Sequence, residues 1–474
     1  MSDIIYLSAR EVLARFRTGA LSPVAYIEAL IARTEAVNPI LNAYTETYFD
    51  EALAAAAAAE ARYAQGTARA LEGLPVVLKD VHHWKGRHTT QGSWSLGAEP
   101  DSFSDPIVER LEAAGAIFHA RSATPEFCLS GMCWSDRHGI TRNPFNPAFA
   151  PGGSSGGSAA ALAAGMTPLA TGTDIGGSIR IPASACGLVG YKAPHGRNPD
   201  GQPFNFDRYN HCGVLARTVG DTALAQNIIS GPHPRDHDSL RDRVAIPARL
   251  KARPLRIAVS MDLGYVPISA DVRTNTLAAL EVFRAAGCAV EEVEIGWDAT
   301  LEAAAMAWYG TMHFGRQALW AREAFGHRMT PYALAMAEAA EAVTPDDVAN
   351  SWACQHAMYQ TLGPVLGTCD VLVCPTLAIG SVAADHDPVQ TGFSIEGQEV
   401  DPEFGWVLTH PFNMLGNCPV MSVPSGRDRH GVPTGFQIVG RSFDDMGVFE
   451  AAMLYENAAT DRFLPRAPLP NFGR

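Results

Sequence analysis

The sequence predicts an α/β fold: one large α/β/α domain with a mixed, twisted sheet covered by helices, entered through a helical N-terminal lead-in. Three observations predict it. Short apolar runs of strand length recur between segments with helical spacing, the order that sets helices on the faces of a sheet. Residues 1–70 carry successive helix signals, and beyond one Ala-rich helix the 474 residues hold no repeat and no low-complexity tract. Hydrophobic residues at 47% and charged residues at 18% belong to a globular chain and exclude extended disorder.

The elements follow in order. Ser8-Ala9-Arg10-Glu11 reads as a capping box opening a helix that stops near Gly19. Ser22-Pro23 starts a second helix with proline at its first position, and Glu51 to Ala64 a third. Leu74 to Leu78 is a short apolar run read as a buried strand, with Lys79 directly after it. Ser104 to Gly115 reads as a helix, Ala116 to Ala120 as a strand, and Pro144 to Gly157 as a loop dense in Pro, Gly, Asn and Ser. A small-residue helix, Ser158 to Ala164, precedes a strand at Leu169 to Thr173 that runs into a glycine turn. Residues 231–253, rich in charge, proline and histidine, read as a surface excursion. Strands at Leu255 to Val259 and Ala289 to Glu294 flank a helix at Asp271 to Ala286. Helices dominate 298–362, and late strands fall at Asp370 to Cys374 and Gly435 to Val439. These segments divide the single domain into the lead-in (1–70), a core bearing the motifs (71–225), a pocket wall (230–410) and a C-terminal part of the core (411–474).

Composition narrows the function. A formal net charge of −14, with no run of clustered Lys and Arg, excludes a nucleic-acid footprint and disfavours anionic membrane surfaces. The nine cysteines form no CxxC pair, so neither a disulfide framework nor a zinc knuckle is expected. With no secretory leader and no unbroken apolar span, a cytoplasmic protein is expected.

Three segments carry chemistry. Lysine is scarce: Lys79, Lys85, Lys192 and Lys251 stand against 32 arginines. A desolvated lysine can lose its proton and act as a base, which arginine cannot. Taken alone, Lys79 is still better read as a strand-end partner of Asp80. Pro151 to Ser158 (PGGSSGGS) lets backbone approach a ligand closely. It lacks the Gly-Lys-Ser/Thr ending of a phosphate loop, and no strand precedes it as a nucleophile elbow requires. Thr171 to Pro182 runs from a strand through Gly176-Gly177 to Ser178, an arrangement that can expose a hydroxyl and gather backbone N–H groups as an oxyanion hole. Taken alone it is better read as an ordinary glycine turn with an incidental serine.

Together these runs resemble the amidase signature family of serine hydrolases: Gly73 to Asp80 (GLPVVLKD), Pro151 to Ser158, and Gly172 to Lys192 (GTDIGGSIRIPASACGLVGYK). Arg142-Asn143-Pro144, Gly213 to Asp221, Pro411-Phe412-Asn413 and Gly435 to Arg441 extend the resemblance over most of the chain. It implies an amidase that hydrolyses the C–N bond of small carboxylic amides, aryl or alkyl, with esters or carbamates as further substrates. Lys79 is then the base, Ser154 a relay preceded by a cis peptide bond, and Ser178 the nucleophile. Backbone N–H groups of Ile175, Gly176, Gly177 and Ser178 hold the oxyanion. Ser155 supports the network, and Asp174 and Arg180 brace the loop as an ion pair. The family also includes a glutamine-hydrolysing amidotransferase subunit that delivers ammonia to a partner. The resemblance implies no cofactor and no metal, and a homodimer as the assembly.

The substrate pocket is less defined. His82, His83, Trp84, Met132 and Trp134 flank the motifs and are its candidate lining, with Trp94 beside them. A polar loop after the strand, for the histidines, and core packing, for the tryptophans, are the alternatives. The His82-His83 pair departs from the family's usual residues, which leaves the substrate class open.

Overall fold

Alternate residues of the strands enter different hydrophobic clusters, so the sheet is covered on both faces. Val371 and Val373 pack into one cluster with Ile257, Val259, Phe436 and Ile438, whereas Leu372 and Cys374 pack into another with Ala258 and Val439. At the other end of the sheet Val76 and Leu78 face one way and Val77 the other. A computed structural model describes residues 2–250 and 253–472, so Lys251 lies outside the described residues.

One eleven-stranded sheet spans the molecule. Its strands are β1 (Tyr44–Thr47), β2 (Pro75–Lys79), β3 (Ile117–Ser122), β4 (Leu169–Asp174), β5 (Val189–Lys192), β6 (His211–Ala216), β7 (Arg256–Val259), β8 (Ala289–Glu292), β9 (Val371–Pro375), β10 (Val420–Arg427) and β11 (Pro433–Val439). Their spatial order is β1-β3-β2-β4-β6-β5-β10-β11-β9-β7-β8. β3, β2 and β4 run parallel, as do β9, β7 and β8, and the strands between are antiparallel. The sheet is mixed, as expected.

The lead-in opens as its sequence predicts. Ser8 and Glu11 form a reciprocal capping box on the helix Ala9–Thr18, which ends at Gly19 with φ 71°. Ser22 caps the helix Pro23–Leu41, and the Ala-rich helix is Phe49–Ala64. The lead-in is not wholly helical, however. Tyr44-Thr-Glu-Thr, too polar and short to read as a strand, is held as an edge strand by pairing with β3.

Strands β5, β6 and β10 escape the pattern for related reasons. Gly190 and Gly213 interrupt the first two, and β10 contains Pro424 and Gly426 at an irregularity in its pairing. Two helices, Val219–Ile229 and Asp445–Ala458, are likewise absent from the sequence reading. The described part of 231–253 has no helix or strand, yet it is fastened down. Leu240 donates to the Gly196 carbonyl, and Asn227 brackets the backbone of buried Ile246. The segment 230–410 supplies β7, β8 and β9 as well as the helices Thr300–Thr311, His313–Phe325, Pro331–Ala342 and Pro345–Thr368. Among the described residues no helix is long and apolar enough to cross a membrane.

Candidate active site

β2 and β4 lie side by side and parallel, so their C-terminal ends deliver Lys79 and Thr173 to one place. Alternation along β4 puts Thr171 and Thr173 on the same side. The Lys79 amide donates to Thr171 Oγ1 at 2.8 Å, and Lys79 Nζ lies 2.8 Å from Thr173 Oγ1 and 2.7 Å from Ser154 Oγ. The lysine is fully buried, and that burial pushes its pKa below the ordinary lysine range against the pull of Cys128, Cys133 and Asp174. Lys79 is therefore no strand-end partner of Asp80. The Asp80 carboxylate turns away to accept from Thr90, with Arg121 3.5 Å off.

Ser154 sits at the Gly153–Ser154 peptide bond, which is cis. Gly153 packs on the backbone of Met132 so closely that a Cβ would collide with its carbonyl. Ser155 links the two serine segments: its amide donates to the Ser178 carbonyl at 3.2 Å, and its hydroxyl lies 3.4 Å from both the amide and the carbonyl of Thr173.

The turn after β4 is held through its carbonyls. Tyr309 Oη donates to the Ile175 carbonyl at 3.2 Å and Thr409 Oγ1 to the Gly176 carbonyl at 2.6 Å. The Ile181 amide takes the Gly177 carbonyl at 2.7 Å, opening the short helix Arg180–Ala185. Among the described backbone hydrogen bonds none is donated by the amides of Ile175, Gly176, Gly177 or Ser178. Gly177 has φ 130°, and a Cβ there would strike Thr409.

Asp174 and Arg180 form a fully buried bidentate pair, Nε to Oδ2 and Nη2 to Oδ1 both 2.9 Å. Arg180 also donates to Gln437 Oε1 and Asn413 Oδ1, each at 2.6 Å, and to the Thr409 carbonyl at 3.0 Å. Asn413 returns a bond to Asp174 Oδ1 at 2.8 Å. Burial alone would raise the Asp174 carboxyl, but Arg180 and Asn413 hold it well below the carboxylate range.

Beside Ser178 opens a small pocket of about 40 Å³ walled by Tyr309, Phe314, Met336, Phe404 and Val407, with Glu403 at one side. Several residues expected to line it lie elsewhere. His83 pairs with Asp101 at 2.8 Å and packs at a tilt against Phe103. Trp84 packs edge-on against Tyr48 and Phe118 and donates to Glu112. Met132 is buried behind Gly153, and Trp134 donates to the His386 carbonyl while its ring meets Tyr332 edge-on. His82 comes nearer: it lines a small adjoining cavity with Thr173, Cys128 and Phe314, the last two shared with the Ser178 pocket. Burial, with Lys79 and Arg121 adding to it, drives its pKa down to about 3. Trp94 is exposed between Arg137 and Arg328. Thr173, Tyr309, Thr409 and Glu403 were not singled out in the sequence. Thr173 alone had a local signal, two residues from Thr171 on one strand. Among the described residues no group of three His, Cys, Asp or Glu is placed to hold a metal ion.

The family model described as Amidase matches residues 25–449. The chain belongs to the amidase signature family. An acylamidase of Rhodococcus erythropolis is 33% identical, with 96% of each chain aligned. A glutamyl-tRNA(Gln) amidotransferase chain of Geobacter metallireducens is 30% identical, covering 96% of this chain and 98% of its own. Among solved structures, a bacterial aryl acylamidase of the same family superposes with a TM-score of 0.89 at 29% identity, with 96% of each chain covered. The amidase fold explains why motifs far apart in sequence meet here: the Lys79, Ser154 and Ser178 segments are held by one stretch of sheet.

Proposed function

We propose that this amide-hydrolysing enzyme works through Ser178 as nucleophile, Ser154 as relay and Lys79 as base. The observation that carries the reading is the buried Lys79, 2.7 Å from Ser154 and pushed by desolvation toward its neutral form. Neutral Lys79 takes the proton of Ser154 as Ser154 takes that of Ser178. The freed Ser178 oxygen attacks the amide carbonyl, and the amides of 175–178 stabilise the oxyanion. The proton returns through Ser154 to the departing nitrogen, the C–N bond breaks, and water hydrolyses the acyl-enzyme by the same route. Small aryl and alkyl amides are the proposed substrates, the acylamidase relatives supporting that class, and esters or carbamates would share the acyl-enzyme.

Covalent labelling with a fluorophosphonate serine probe, followed by peptide mapping, tests the assignment. One adduct on Ser178, abolished in Lys79→Ala, is expected. An adduct on Ser155, or none on any serine, overturns it. The amidotransferase relatives favour a second reading, glutamine hydrolysis with ammonia passed to a partner protein. Glutaminase assay of the purified chain separates the two: glutamine preferred over acyl anilides would establish it. A homodimer in the cytoplasm is the proposed state. The described cysteines are free thiols, eight of nine buried, as a reducing compartment allows; size-exclusion chromatography reads the assembly.

A further inference from the structure

The pocket beside Ser178 is unequal in its chemistry. Tyr309, Phe314 and Phe404 present aromatic rings, the first and last stacked at 5.9 Å and 10°. Against them stands one carboxylate, Glu403. Each of its oxygens accepts one described hydrogen bond: Oε1 from the Gly131 amide at 2.6 Å and Oε2 from the Ser130 hydroxyl at 2.9 Å. A carboxylate offers about four acceptor positions, so the side chain retains capacity toward the pocket.

Its charge is not neutralised by the protein. Among the described ion pairs none involves Glu403, and the charge that acts on it is Asp401, which acts on Glu302 as well. Enclosure, with Asp401 adding to it, pushes the Glu403 carboxyl up to about 7, so the group ionises fully near neutrality only when a cation joins it. Aromatic faces and an unpaired carboxylate on one cavity are the two surfaces that bind an ammonium group, one by the ring quadrupole and the other by charge-assisted hydrogen bonds.

We propose that Glu403 is a specificity-determining residue that selects amides whose acyl group carries an ammonium, the rings of Tyr309, Phe314 and Phe404 covering the carbons between that cation and the scissile carbonyl. The proposal rests on Ser178 being the nucleophile. It predicts that amides of amino acids with a free amine are preferred over the same amides with a hydrocarbon acyl chain.

The test compares ω-aminoalkanoyl p-nitroanilides with n-alkanoyl p-nitroanilides of matched length, through a series of lengths, in the wild type and in Glu403→Gln. Glutamine keeps an acceptor for Gly131 and a group for Ser130 but removes the charge. At the best length the wild type should favour the amine-bearing substrate by about tenfold or more in kcat/KM. Glu403→Gln should bring the pair toward parity, whatever it does to absolute rates. Should anilides turn over too slowly, protection of Ser178 from the fluorophosphonate by ω-aminoalkanamides against alkanamides gives the same ratio. A wild type that favours the hydrocarbon chain at every length, or a variant that loses equally on both series, overturns the proposal alone. A chain whose Ser178 takes no probe overturns the nucleophile assignment first, and this inference with it.

Discussion

Lys79, the proposed base, owes its lowered pKa to its position on β2. A strand buried on both faces ends there, and the ammonium has hydroxyls rather than carboxylates within reach. Desolvation is then the leading influence on its pKa, and it acts downward. Only the neutral amine can take a proton, so kcat/KM should rise with pH as Lys79 deprotonates. The midpoint of that limb should lie below the ordinary lysine value of about 10.4. Lys79→Arg, which cannot deprotonate, and Lys79→Ala should each lower kcat/KM by about a thousandfold. His82, neutral down to about 3, titrates outside that range, so His82→Gln should leave the midpoint in place. A pH–rate profile of the three variants reads both outcomes. Thr409 supplies a different kind of control. Its hydroxyl holds the Gly176 carbonyl at 2.6 Å, fixing the peptide plane whose other side carries the Gly177 amide. Thr409→Val should lower kcat by about tenfold with little change in KM, because the oxyanion exists only beyond the ground state. Thr409→Ser should restore most of it, which a loss of packing alone would not permit.

The unit that makes the site is β4, its turn and the helix Arg180–Ala185. Within it each glycine has its own constraint. Gly177 combines φ 130° with a Cβ position occupied by Thr409, whereas a Cβ on Gly176 would meet only the Tyr309 hydroxyl, at 3.1 Å. Gly177→Ala should therefore reduce the rate of Ser178 labelling by about a hundredfold, and Gly176→Ala distinctly less. Equal losses in the two variants would place the cause in chain flexibility instead. This unit stood out in the sequence only beside the Lys79 and Ser154 runs, because an apolar strand, two glycines and a serine in one run read alone as an ordinary glycine turn. The pocket did not. Tyr309 and Thr409 reach the turn across 134 and 233 residues, from helix-rich and loop segments with no distinguishing pattern. His83, Trp84 and Trp134 show the converse. They flank the motifs in sequence, but after Lys79 the chain enters a polar loop in which Asp105 and Asp101 accept from the backbone of His83 and Trp84, and Trp134 turns its ring onto Tyr332, so proximity along the chain misled. The helices and strands with clean apolar periods were likewise readable. β5, β6 and β10, interrupted by glycine or proline, are strands only because neighbours on both sides pair with them.

Across the whole molecule the sheet is joined by its last two strands. β10 pairs with β5 and β11 pairs with β9, so residues 420–439 connect the part that carries Lys79 and Ser178 to the part that carries β7 and β8. Arg180 repeats that connection in side chains, binding Asp174 at the end of β4, Asn413 before β10 and Gln437 on β11. Both ions are wholly buried, and an ion in such a place is tolerable only with its partner. Arg180→Met should therefore destabilise the fold by about 3–5 kcal/mol, measured by urea unfolding at neutral pH. Asp174→Asn added to it should recover part of that loss, since no buried anion then remains, although Gln437 and Asn413 stay short of a donor. The pH dependence has a definite sign. The folded-state pKa of Asp174 is depressed, so the pair's contribution is full above the unfolded carboxylate value of about 3.9 and is lost as pH falls toward the folded value. Without Arg180 the carboxyl protonates more readily, and the difference in stability between wild type and Arg180→Met should shrink steadily on acidification. A difference that stays constant from neutrality into acid would mean that the loss comes from packing of the arginine stem rather than from its charge.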